Sequence, residues 1–217
     1  MKKIGFFLLS ASLLFSACTK SIRGSGSTIT ETRNIAAITS VQLEGSAEVE
    51  IMQGNVQSVT VSGYENLVPI FVTQVNNGNL LLRFEDPYYN VRRNNIKVTI
   101  VVPDIQAVRS NGSGQISISN FLNKTIFNAS INGSGNINMN NSSFIKMILD
   151  VNGSGNIKAY GCTAADTEAE IHGSGNIEIT CTNKISAHIY GSGNIDYWGN
   201  PVATDVQISG SGRVRKR

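Results

Sequence analysis

The chain has 217 residues, of which only 15% are charged, with 21 glycines against 4 prolines. That length supplies a real core, and the glycine-rich, charge-poor composition suits a repetitive β-architecture better than a helical bundle or a disordered tail. The formal charge is +3, but Lys2 and Lys3 belong to a leader, leaving 16 basic against 15 acidic residues, so no nucleic-acid partner is expected.

Residues 1–17 read as a lipoprotein signal peptide. Lys2 and Lys3 precede an apolar run from Ile4 to Phe15, too short for a membrane span, and Ser16 and Ala17 lead directly into Cys18. Small residues before that cysteine resemble a bacterial lipobox, in which Cys18 is acylated and becomes the new N-terminus. Several acyl chains on Cys18 would hold the protein to a membrane where one would not. No acidic cluster follows Thr19, which in the sorting pattern this resembles points to an outer-membrane anchor facing the periplasm rather than the cell surface.

Residues 18–33, rich in Ser, Gly and Thr, are expected to be a flexible tether. Residues 34–104 are read as a less regular, β-rich N-terminal part. Val41, Leu43, Ala47, Val49 and Ile51 alternate around Gly45, which marks an early coil, and Asn77-Gly78 is a tight-turn signal between two alternating runs. A loop carrying Tyr88 and Tyr89 is expected from Glu85 to Asn95. This part would form either hairpin-bearing coils or a small β-sandwich fused to the C-terminal half.

Residues 105–217 are a repeat. Gly-Ser-Gly-Asn-Ile stands intact at Gly133, Gly153, Gly173 and Gly191, with variants at Gly112 and Gly210, so the steps are 21, 20, 20, 18 and 19 residues. Counting the first glycine as zero, the even positions are apolar but for Ser110: at −2 Ser110, Ile131, Val151, Ile171, Ile189 and Ile208, and at +4 Ile116, Ile137, Ile157, Ile177, Ile195 and Val214. The odd positions are polar. This period-two pattern marks strands with one buried face, and it keeps its parity through the glycines, so the strand is expected to bend there, with both glycines inward, rather than reverse. The predicted fold is all-β: a single-stranded parallel β-helix with coils of about 20 residues, each about 4.8 Å above the last.

These repeats, preceded by the runs Val41 to Ile51 and Ile96 to Ile105, resemble the family called the auto-transporter adhesin head GIN domain. The resemblance implies a right-handed β-helix on an envelope protein and an adhesin-like or structural, non-enzymatic role. It brings no catalytic residues, cofactor or metal.

Stacked coils should pile like residues into columns. Gln115, Asn136, Asn156, Asn176 and Asn194 at +3 are read as a side-chain amide ladder. Cys162 and Cys181, at nearly the same corner of adjacent coils, are a candidate disulfide, with two small buried thiols as the alternative. Position −3 reads Arg109, Ser130, Asp150, Glu170, His188 and Gln207, with His172 beside it at −1. Asp150, Glu170, His172 and His188 are thus a candidate polar site, able to work as acid and base on a glycan, or a plain solvated face. Tyr160, Tyr190 and Trp198 should point outward, toward a sugar or an envelope protein. The sequence leaves the oligomeric state open.

Overall fold

The computed structural model describes residues 21–86 and 90–217. Cys18 and its leader, and Tyr88 and Tyr89, lie outside the described residues. The architecture is all-β, a parallel β-solenoid of about six turns with coils of about 20 residues. Among the described residues no helix is long and apolar enough to cross a membrane.

The N-terminal part comprises β1 (Ser21–Arg23), β2 (Thr28–Thr32), β3 (Ser40–Gly45), β4 (Glu48–Gln53), β5 (Ser58–Tyr64), β6 (Phe71–Asn76), β7 (Asn79–Phe84), β8 (Asn90–Arg92) and β9 (Lys97–Val102). Strands β3 and β4 flank Gly45 as one rung of the solenoid. Below them lies a rung assembled from two separate stretches, β7 under β3 and β9 under β4, both parallel. Antiparallel strands then close the stack: β6 pairs with β7 through the Asn77-Gly78 turn, β5 with β9, and β2 with β5. The N-terminal part is therefore hairpin-bearing coils continuous with the repeats, not a sandwich joined to them.

The expected tether from 18 to 33 is corrected over its described residues. β1 pairs with β8, and β2 runs the length of β5. The run Thr28 to Thr32 buries little side chain, yet its backbone satisfies the open edge of β5, which composition does not reveal.

The repeats continue as β10 (Ala107–Gly112), β11 (Gln115–Ser119), β12 (Lys124–Gly133), β13 (Asn136–Gly153), β14 (Asn156–Gly173), β15 (Asn176–Gly191), β16 (Asn194–Trp198), β17 (Ala203–Gly210) and β18 (Arg213–Lys216). All pair in parallel, and the corner glycines stack in register: Gly45, Gly112, Gly133, Gly153, Gly173, Gly191 and Gly210. Inside, Ile137, Ile157, Ile177 and Ile195 are fully buried, as are Ile131, Val151, Ile171 and Ile189. In the last rung Ile208, on the column of Ile189, and Val206, on that of Ala187, are 45% and 46% exposed, because only one neighbouring strand packs on them.

The corner explains the motif. The second glycine of each motif faces the interior; a methyl at Gly155 would come 2.7 Å from a side-chain carbon of Ile131 in the rung below. The first glycine is not inward, contrary to the parity argument. It forms the bend itself, with φ between +131° and +141° in the six repeats from Gly112 to Gly210, a region that disfavours any side chain. Its carbonyl oxygen accepts two hydrogen bonds from the next rung, from the N–H groups of the serine and the second glycine, at 2.8–3.2 Å.

Candidate functional site

The parallel register brings the predicted columns together. Asp150 pairs with Glu170, Glu170 with His188 and His188 with Gln207, while Asn152, His172 and Tyr190 succeed one another beside them. All four candidate residues, Asp150, Glu170, His172 and His188, therefore stand on one outer sheet face, the one that leads into the glycine corners.

Their side chains are partnered within that face. His172 Nε2 lies 2.6 Å from Glu170 Oε1, and Asn152 donates to Asp150 Oδ1. His188 Nε2 lies 3.3 Å from Ser186 Oγ and 3.7 Å from Asp205 Oδ2, and Lys146 pairs with Glu168 at 2.7 Å. The Asp150 carboxyl is held above its ordinary value, first by partial burial and then by the negative charge of Glu170, with His172, Arg109 and Asn152 acting the other way. Among the described residues no group of three or more His, Cys, Asp or Glu side chains is placed to hold a metal ion.

Around these residues the face is hollowed. A depression of about 290 Å³ is lined by Asp150, Glu168, Glu170, Ser186 and His188 over Ile148. A second, of about 370 Å³, shares Ile148 and Asp150 with it and continues to Arg109, Asn128, Ser130 and Asn132. A third, of about 210 Å³, shares Arg109, Asn128 and Ser130 and reaches Gln42 and Asn79. The three join into one trough that runs along the stack across the rungs from β3 to β15. Sequence reasoning found the middle of this trough but not its extent, which depends on β3 and β7 stacking beneath β10; the polar alternation of Gln42 and Glu44 was the available signal.

Aromatic side chains flank it. Tyr190 is stacked on His172, with ring centroids 4.7 Å apart and planes 12° apart. On the other arm Tyr160 and Trp198 lie 5.9 Å apart, and Tyr160 is 55% exposed. Tyr160 and Tyr190 thus point outward as expected; Trp198 is only half-buried.

Two further columns were read from the sequence. The amide ladder is present over the asparagines but does not extend to Gln115: Asn194 donates to Asn176, Asn176 to Asn156 and Asn156 to Asn136, at 2.8–3.0 Å. A second ladder joins Asn132 to Asn111, and a third Asn141 to Asn120. The disulfide is not formed. Cys162 and Cys181 are free, buried thiols, because a register shift after Ala159 sets Cys181 beside Ala164 while Cys162 pairs with Ser142. Cys181 Sγ instead contacts the carbonyl oxygens of Lys184 and Ala165 at 3.1 and 3.3 Å.

A family model described as "Putative auto-transporter adhesin, head GIN domain" matches residues 37–201. The chain belongs to the GIN-domain family. Solved structures share the fold of this GIN domain. A protein of Bacteroides fragilis described as a "putative adhesin" is 22% identical with a TM-score of 0.69, covering 90% of this chain and all of that one. A Parabacteroides distasonis protein described as a "putative lipid binding protein" is 25% identical with a TM-score of 0.63, over 91% of this chain and all of that one. A third, a "putative adhesin" of Parabacteroides merdae, is 20% identical with a TM-score of 0.53, over 91% and 99%. Comparison with curated proteins finds no match.

Proposed function

We propose that this GIN-domain protein is a non-enzymatic, adhesin-like binding protein of the bacterial envelope, held at the outer membrane by acyl chains on Cys18. One observation carries the reading: the trough is a long, open, rigid surface whose polar groups are already fixed by partners within the face, as a recognition surface requires. The family and its structural relatives, described as adhesins, agree with it. The first described strand, Ser21–Arg23, pairs with β8 in the N-terminal part, so an anchor at Cys18 would leave the repeats projecting away from the membrane.

The test is adherence. Cells carrying the gene, its deletion and a Cys18→Ala form are compared for attachment to host-derived and bacterial surfaces, with protease treatment of intact cells reporting which side the domain faces. Loss of attachment in both altered strains, with degradation of the native protein, supports the reading. Unchanged attachment with a fully protected domain replaces it by an architectural lipoprotein of the periplasm.

A second reading has a specific observation behind it. Asp150, whose carboxyl is raised above its ordinary value by burial and by the charge of its neighbour Glu170, has with that neighbour the outline of an acid and a base acting on a glycan. Glycan turnover by the protein, lost on Asp150→Ala or Glu170→Ala, would establish it; binding without turnover excludes it.

A further inference from the structure

We infer that the trough is the binding site of an uncharged, linear polysaccharide lying along the stack, a deeper reading that rests on the binding role proposed above. The shape comes first. Three depressions share lining residues in succession, so the surface they form is continuous over six rungs, from Gln42 through Arg109, Ser130, Asp150 and Glu170 to His188, about 24 Å at the spacing of β-strands. A compact small molecule would fill one depression; an extended chain fills all three.

The lining chemistry selects the polymer. Hydroxyl or amide side chains recur along it on four of the six rungs: Gln42, then Asn128, Ser130 and Asn132 together on one rung, Asn152 on the next and Ser186 two rungs on, with Arg109 and the carboxylates of Glu168 and Glu170 on the other two. A carbohydrate chain presents hydroxyl groups at a similar recurring interval and can bond to these groups at several points along its length. A protein partner is disfavoured because interfaces are built around buried aromatic or aliphatic anchors, whereas the half-buried apolar side chain on the floor of the trough, Ile148, is flanked by Asn128 and Glu168 in the neighbouring rungs. Nor does charge favour an ionic polymer. Asp150, Glu168 and Glu170 in the centre repel a polyanion, and Lys146 and His172 already pair with Glu168 and Glu170, which leaves only Asp150, bonded to the neutral Asn152 amide, without a basic group beside it for a polycation to replace. What remains to these carboxylates is to accept hydrogen bonds from hydroxyl groups.

Tyr190 supplies the second element. Its ring is buttressed by His172, which Glu170 holds in turn, and on the opposite side the column continues with Ser209, too small to cover the ring. A pre-set aromatic face at the edge of a hydroxyl-lined trough suits the C–H face of a pyranose ring.

The test uses the purified full chain in mild detergent, run through native gels containing dextran, mannan, xylan or a soluble β-glucan, with polygalacturonate and chitosan alongside. Retardation by at least one uncharged polymer is expected, with affinity for its oligosaccharides rising until they span the trough. Tyr190→Ala and Asn132→Leu should each weaken that binding about tenfold with melting unchanged. Retardation by polygalacturonate or chitosan alone, by none of the polymers, or to the same degree in both variants overturns the inference. Adherence that persists without any retardation removes the glycan and leaves the adhesin-like reading standing; loss of both removes both.

Discussion

Asp150 shows how a stacked sheet sets the chemistry of a single side chain. Its neighbour in the next rung is Glu170, and partial burial adds to that charge, so ionising the carboxyl is harder in the folded chain than in the unfolded one. The folded state therefore holds this proton more tightly. The stability it contributes is present below the ordinary value of 3.8 and is lost as pH rises through the raised folded value. Asp150→Asn keeps the acceptor for Asn152 and removes the loss, so denaturant midpoints should show the variant gaining on the native protein between acidic and neutral pH. A native protein that gains on the variant instead would contradict this account. Cys162 behaves differently. Burial pushes its thiol up to about 11 in spite of nearby Ser142, so almost no thiolate exists at pH 8. A maleimide should leave Cys162 and Cys181 unlabelled in the native chain and label both after denaturation, with mass spectrometry as the readout.

At the scale of the element, the glycine corner is the unit that sequence specifies best. Gly173→Ala would place a methyl against the carbonyl oxygen of Gly153, well inside contact distance, on a backbone with φ of +133°. A loss of about 3 kcal/mol or more is expected from thermal or denaturant unfolding. Outside the corners the legibility falls. Ile137, Ile157, Ile177 and Ile195 were readable because alternation needs only local order, and the amide ladder followed from equal spacing. The cysteines were not: the turns far from the glycines slip between rungs, by three residues at Ala159 to Thr163, and no local signal records the slip. The strands Ser21–Arg23 and Thr28–Thr32 were missed for another reason, since Ser and Thr on an edge strand look like a linker until a partner strand is known. The central trough residues were legible through the −3 column, whereas the rung of β7 and β9 comes from stretches that no repeat announces.

For the whole molecule the rungs behave as a one-dimensional array closed at one end by hairpins. Each rung contacts chiefly its two neighbours, so removing one complete repeat should preserve the fold. Deleting Ser154 to Gly173 joins Gly153 to Ser174 and restores the motif; this shortened chain should melt in a single transition about 5 °C or more below the native one. Deleting Ser154 to Thr163 alone breaks every column above it, and calorimetry should show no cooperative transition of the repeats. The same arrangement divides the molecule into two populations of positions. A substitution at Gly153 must be tolerated by Gly133 beneath it and Gly173 above it, so the corner cannot drift one letter at a time. Asn132, Asn152, His172 and Tyr190 meet through side chains, the His172–Tyr190 stack among them, and hold no such backbone lock. Natural variants of this scaffold are thus free to rewrite the lettering on the outer face, and so retarget what the protein recognises, while its spine stays fixed.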